Sequence, residues 1–121
     1  MESVASMNLK VTASPVRENV VALELDGEVD VYTAPLLRQE IVDQVTKGTK
    51  YLLVHLEKVE YLDSTGLGIL IGGVKRLKEK NGALKLIGPS PRISRIFDIT
   101  GLNRIFDVYV TQADALATLD A

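Results

Sequence analysis

The segment Leu62-Asp63-Ser64-Thr65-Gly66-Leu67-Gly68 places a carboxylate, two hydroxyls and two glycines within seven residues. Two chemistries suit that set. A serine before an apolar, helically periodic run is a helix N-cap, whose oxygen accepts from a free backbone N–H. The same hydroxyl can also be a modification site, close to the free backbone N–H groups of the helix start. The two uses are compatible. The segment falls between a strand and a helix, where parallel α/β sheets collect their functional groups.

The helix that follows carries Gly66, Gly68, Gly72 and Gly73. Each interior glycine costs about 1 kcal/mol against alanine, and capping does not require four of them. On a helical wheel Leu67, Leu70, Ile71, Val74 and Leu77 share one arc and face the sheet. Ser64, Thr65, Gly68, Ile69 and Gly72 fall outside it. Ile69 is therefore expected to point to solvent beside a stripe smoothed by glycine. The stripe is either a docking surface, where another backbone approaches closely, or a packing surface for the domain's own loops. Upstream, Glu24, Asp26, Glu28 and Asp30 form an acidic cluster. Asp30 lies before a helix on the same edge as Ser64, where it can cap, bind a cation or meet a basic partner. Lys75, Arg76, Lys78, Lys80, Arg92, Arg95 and Arg104 read mainly as a solvated face, and cations also suit helix C-termini.

Enzyme motifs fail in turn. Gly66, Gly68 and Ile71 miss the dinucleotide fingerprint, which needs glycine at the third position. Gly68 and Gly73 have the spacing of a phosphate-binding loop, but Val74 stands where its lysine must be. Asp63-Ser64-Thr65-Gly66 lacks the second copy that an aspartic-protease dyad requires. The one histidine, His55, falls in a buried strand and reads as structural rather than as a base for Ser64. No metal or nucleotide motif survives, so neither a cofactor nor an enzyme activity is expected.

The elements that must position Ser64 follow from the periodicity. Val11 to Ser14 and Val20 to Asp26 read as an antiparallel hairpin, and Gly27 to Asp30 as a turn. Thr33 caps a helix with Ala34 and Pro35 in its first turn, Leu37, Ile41 and Val45 on its apolar face, and Gly48 as its stop. Tyr51 to Leu56 is a buried strand and Glu57 to Asp63 a polar connection. Ser64 opens a helix to about Lys80, and Ala83 to Ile87 is the next strand. Ser90-Pro91 starts a helix that Gly101 ends. Phe106 to Val110 is a last strand, and Thr111 caps a helix through Leu119. The order ββαβαβαβα predicts a mostly parallel mixed sheet with an antiparallel N-terminal pair and four helices. Residues 1–7 are expected to form a loose tail before a single domain over residues 8–119.

Composition sets the outer limits. The chain has 121 residues, 46% hydrophobic and 25% charged, which fits one soluble domain. Surface scaling gives a folded area near ~6,400 Å². The net charge of −2 argues against non-specific nucleic-acid binding, which needs phosphate neutralisation. The absence of cysteine excludes disulfides and Cys-ligated metals and fits a reducing compartment. No apolar run reaches the ~20 residues of a membrane span and no signal peptide is visible, so the expected location is the cytoplasm.

Three segments together carry a resemblance: Gly27-Glu28-Val29-Asp30, Thr33-Ala34-Pro35 and Asp63-Ser64-Thr65-Gly66-Leu67-Gly68. They resemble the bacterial anti-sigma factor antagonists, single STAS domains of the sporulation and general-stress type, over about residues 8–119. The resemblance implies a STAS fold and a partner switch. It implies that Ser64 is phosphorylated by an anti-sigma factor that is itself a serine kinase. The unphosphorylated form binds that factor and frees its sigma factor, and a PP2C-type phosphatase restores it. Asp30 and Asp63 carry over as site residues. Thr65, Gly66, Gly68, Ile69 and Gly72 complete the expected partner-binding surface, and a monomer is expected. The rival reading is an unswitched STAS scaffold, or a nucleotide- or small-ligand-sensing module, in a signalling or transport assembly. A transfer enzyme using Ser64 is a third.

Overall fold

Asn19 turns the chain through the left-handed region at φ 65°, closing a hairpin between β2 (Leu9–Arg17) and β3 (Val20–Val29). This is a feature of a computed structural model that describes residues 1–119. Four further strands complete the sheet: β1 (Glu2–Ala5), β4 (Tyr51–Leu62), β5 (Ala83–Ile87) and β6 (Asp107–Tyr109). They lie in sequence order across it. The β1–β2 and β2–β3 pairs are antiparallel, and β3–β4, β4–β5 and β5–β6 are parallel. The helices are α1 (Ala34–Thr46), α2 (Ser64–Glu79), α3 (Pro91–Thr100) and α4 (Gln112–Ala117). This is the expected mixed sheet with four helices.

Strand alternation divides the apolar residues between two layers. Leu23, Leu25, Leu52, Val54, Leu56, Leu84 and Leu86 face α1, α2 and α3 through Leu37, Ile41, Leu70, Leu77 and Phe97. Their neighbours Val20, Ala22, Leu53 and Ile87 face the other way and meet Ala115 of α4. Burying a leucine of this core is worth about 2 kcal/mol. The accessible area is 6743 Å², close to the scaling expectation.

Four expectations about the elements are corrected. Residues 2–5 are not a loose tail: they form β1, with Val4 opposite Val11 and half-buried against the core. Gly27 to Val29 is not a turn but the end of β3, and Gly27, at φ 126°, lies where a side chain would overlap the Asn8 carbonyl. Glu57 to Leu62 is not a connection but the second half of β4. Val59 and Leu62 are its buried positions, three apart, because irregularities in the β3–β4 register break the period of two. Finally, β6 spans only Asp107–Tyr109, follows a 3-10 turn at Leu102–Arg104, and α4 ends at Ala117.

Candidate functional site

The carboxyl ends of β3 and β4 are level. Val29 pairs with Leu62, and the Asp63 N–H donates to the Val29 carbonyl at 3.1 Å. Asp30 and Asp63 therefore leave the sheet side by side, each leading into a helix. Gly66 makes the close approach of α2 possible: a Cβ there would lie 2.6 Å from Leu62 Cδ1 and 2.7 Å from Val29 Cγ1. The expected proximity of Asp30 to the start of α2 follows from this register.

The two aspartates hold their backbones in different ways. Asp63 is the N-cap of α2, and its Oδ1 accepts from the Gly66 N–H at 3.0 Å. Asp30 Oδ1 accepts from the backbone N–H groups of Tyr32 at 2.9 Å and Thr33 at 3.0 Å. Thr33 holds the cap position of α1, but its hydroxyl bonds no helical N–H. It donates instead to the Glu28 carbonyl at 2.8 Å and accepts from the Asp30 N–H at 2.9 Å. The Asp30–Thr33 loop is thus braced by its own hydrogen bonds, with Asp30 Oδ1 engaged by the loop backbone. Among the described residues no acidic or histidine cluster has a metal-holding arrangement.

With Asp63 in the cap position, Ser64 is the first helical residue instead of the cap. It is exposed, as is Thr65. Among the described residues Ser64 Oγ has no hydrogen-bond partner. A phosphate at this oxygen would add about −1.5 to −2 charges. It would stand where the free N–H groups and the dipole of α2 favour an anion.

The four glycines of α2 divide in two. Gly66 and Gly73 are buried, and Gly73 abuts Leu84 and Ile41. Gly68 and Gly72 have open space where a Cβ would be. Those two leave a smooth strip of surface running back from Ser64. Ile69 does not stand free beside it: the side chain is half-buried and packs against the core. Large exposed apolar groups are found elsewhere, at Val31 (58% exposed), Tyr32 (87%) and Tyr61 (49%). The first two ride on the loop braced by Asp30, and the third lies near the end of β4. None of the three is among the residues expected at the site from sequence. The available signal was an apolar pair directly after a loop-forming Asp, where a solvated turn needs none.

The remaining candidates lie outside this face. His55 is held at both ring nitrogens, Nδ1 by Glu57 at 2.8 Å and Nε2 by Gln112 at 2.7 Å, so it ties α4 to the sheet. Glu24 pairs with Lys58 at 3.0 Å, and that bond holds the Lys58 ammonium above its usual range. Arg92 donates to the Glu60 carbonyl at 2.8 Å and so braces the second half of β4. Lys75, Arg76, Lys78 and Lys80 are solvated. No helix among the described residues is long and apolar enough to cross a membrane.

Comparison with known proteins agrees with this geometry. The STAS domain family profile matches residues 12–115. The anti-sigma-B factor antagonist of Bacillus subtilis is 43% identical over 102 residues, 84% of this chain and 92% of the relative. Its Staphylococcus aureus counterpart is 38% identical and is covered to 94% of its length. A crystal structure of an anti-sigma factor antagonist from Mycobacterium paratuberculosis superposes with a TM-score of 0.84 at 30% identity, covering 97% of this chain and 98% of that one. A braced acidic loop, an Asp-capped helix with a free serine, and these likenesses converge: the chain belongs to the STAS-domain family, among the anti-sigma factor antagonists.

Proposed function

We propose that this chain is a phosphorylation-switched antagonist of an anti-sigma factor. The unphosphorylated chain binds an anti-sigma factor that is also a serine kinase, and so releases a sigma factor. The kinase transfers the γ-phosphoryl group of ATP to Ser64: the Oγ–P bond forms as the bond from the γ-phosphorus to the β–γ bridging oxygen breaks, ADP leaves, the hydroxyl proton passes to a base on the kinase, and binding ends. A PP2C-type phosphatase restores the free hydroxyl by hydrolysis, water taking the phosphoryl group away as inorganic phosphate. The chain acts as a monomer in the cytoplasm, touches no nucleic acid and catalyses nothing itself. The names of its relatives in Bacillus subtilis and Staphylococcus aureus support the antagonist part of this reading.

One observation carries the switch. Asp63 takes the capping bond, so Ser64 presents an exposed hydroxyl with no internal bond to break. The docking face consists of Ser64, Thr65, the open strip at Gly68 and Gly72, and the braced Val31–Tyr32 loop. Asp30 serves that face through the loop it holds. Phosphate at the centre of such a face barely disturbs the fold, because the helix start accommodates an anion. It does burden the complex, since a doubly charged group must be desolvated or excluded there.

The test is intact mass after incubation with native-cell extract and Mg-ATP, run beside Ser64→Ala. One added phosphate, absent from the variant, is expected. A phosphate that persists in Ser64→Ala moves the acceptor, with Thr65 the first suspect. No phosphate in either protein, while a known kinase substrate in the same extract is labelled, overturns the switch in favour of an unswitched scaffold or sensing module.

A further inference from the structure

β4 is much longer than β5, with 12 residues against 5. The two pair only from Tyr51 with Ala83 to His55 with Ile87. Gly88 then turns the chain away at φ 67°, and its N–H donates to the Tyr109 carbonyl at 2.9 Å. The rest of β4, from Glu57 to Leu62, is an overhang. β3 lies along one side of it, and among the described residues no strand lies along the other. Asp63 and Ser64 come next in the chain, so whatever fixes the overhang also fixes the start of α2.

Glu60 is the irregular point of that overhang. Gly27 pairs with Val59 and Glu28 with Tyr61, so the β3 ladder passes over Glu60. An extra residue of this kind re-aims the strand beyond it, and a slip by one residue would turn every side chain to the opposite face. Tyr61, Leu62 and Asp63 follow the bulge. In the register observed Leu62 is buried, Tyr61 is half exposed and Asp63 reaches the Gly66 N–H.

Arg92 holds this point from outside the ladder. Its Nη2 donates to the Glu60 carbonyl at 2.8 Å. The placement does not serve the helix that carries it. Arg92 is exposed and follows Pro91 in the first turn of α3, where a cation opposes the dipole. An acidic residue there would suit α3 better. The guanidinium is used on the strand instead, at the one residue the β3 ladder leaves out between Val59 and Tyr61.

We propose that Arg92 is a positioning residue for the phosphorylation of Ser64. It latches the Glu60 bulge, and the bulge sets the register in which Tyr61, Leu62 and Asp63 present Ser64 to the kinase. Arg92 acts through β4 and lies outside the docking face. Without the latch the chain still folds, because Arg92 takes no part in the core, but the overhang samples more than one register. Apparent affinity then falls by the fraction of chains in the productive one. The inference rests on the proposed switch at Ser64.

Arg92→Met tests it, because methionine keeps an unbranched stem and a similar helix propensity but has no donor. Initial rates of phosphate addition are read by intact mass at varied chain concentration, in native-cell extract with Mg-ATP. The variant should raise the apparent KM about fivefold and leave the maximal rate within about twofold of the unaltered chain. Hydrogen–deuterium exchange of the free chain should speed up over residues 59–64, while the melting midpoint stays unchanged. Arg92→Lys, which keeps a charged donor, should recover most of both changes. Unchanged exchange in Arg92→Met overturns the latch, and a raised KM would then mean that Arg92 touches the kinase directly. Faster exchange with an unchanged KM overturns the positioning role and leaves Arg92 structural. Failure of the unaltered chain to take phosphate overturns the switch and this inference together, whereas equal rates in both chains overturn the inference alone.

Discussion

The starts of α2 and α3 carry the same residue type and use it differently. Ser90 is the N-cap of α3, and its Oγ accepts from the Ile93 N–H at 3.2 Å. At α2 the cap is Asp63, and Ser64 stands one residue further in with its hydroxyl unused. Modifying Ser90 would remove a bond the helix depends on. Modifying Ser64 removes none. A hydroxyl at a helix start is therefore available for regulation only when a neighbour has already satisfied the backbone, and the Asp-Ser order does that. Thr111, which caps α4 by accepting from the Asp114 N–H at 3.2 Å, falls with Ser90 on the structural side.

The largest expected effect separates the two starts by binding rather than folding. Ser64→Asp places a permanent charge at the centre of the proposed docking face. A loss of about 4 kcal/mol corresponds to roughly thousandfold weaker partner binding. Circular dichroism and melting should stay native, because an acidic residue in a first helical turn suits the dipole. Normal affinity for the isolated anti-sigma factor would remove Ser64 from the interface.

Next in size is the glycine pair that follows Ser64 in α2. Gly66→Val should destabilise the fold by about 1–3 kcal/mol through overpacking, because its Cβ would press on Leu62 and Val29. Gly68→Ala should instead stabilise by up to about 1 kcal/mol through helix propensity, since space is open there. Chemical denaturation reads both. Opposite signs would confirm that α2 keeps one glycine for packing and the other for its surface. Two destabilised variants would mean that Gly68 is packed after all.

The caps come third. Asp63→Ala and Ser90→Ala should each cost about 1 kcal/mol of stability. Asp63→Asn should recover most of that loss, as asparagine caps equally well. Recovery would assign Asp63 to capping; a cap-competent variant that still fails to bind the partner would give its charge a second role at the interface.

Much of this is legible in the sequence, and the exceptions have physical causes. Ser90, Thr111 and Gly101 sit where local rules put them, because caps and left-handed turns are decided by a few adjacent residues. The parallel sheet and the Asp30–Asp63 neighbourhood follow from the strand–helix alternation. What failed depended on pairing across the sheet. Glu57 to Leu62 lacks an alternating pattern because the β3–β4 register is irregular, so half a strand read as a connection. Residues 2–5 bury little of their own and become a strand only beside β2. Ile69 was assigned by angle on a wheel, yet the core reaches round to it. Asp63 and Ser64 are both good caps by type, and choosing between them requires knowing that β4 ends at Leu62, with the Asp63 N–H still bonded to Val29.

The smallest expected effect is the most exacting test of the comparison. Ser64→Ala should change stability by less than about 0.5 kcal/mol, the range of a surface substitution that breaks no internal bond. Measured by denaturation beside Ser90→Ala, it asks whether the Ser64 hydroxyl is spare. A loss near that of Ser90→Ala would mean that Ser64 bonds the backbone in solution and that Asp63 shares the cap with it. Phosphorylation would then have to break a helix start in order to occur, and the phosphorylated chain would be less stable than the free one. A neutral Ser64→Ala keeps the two functions on separate residues: Asp63 sustains the helix in both states, and Ser64 changes state without the fold having to respond.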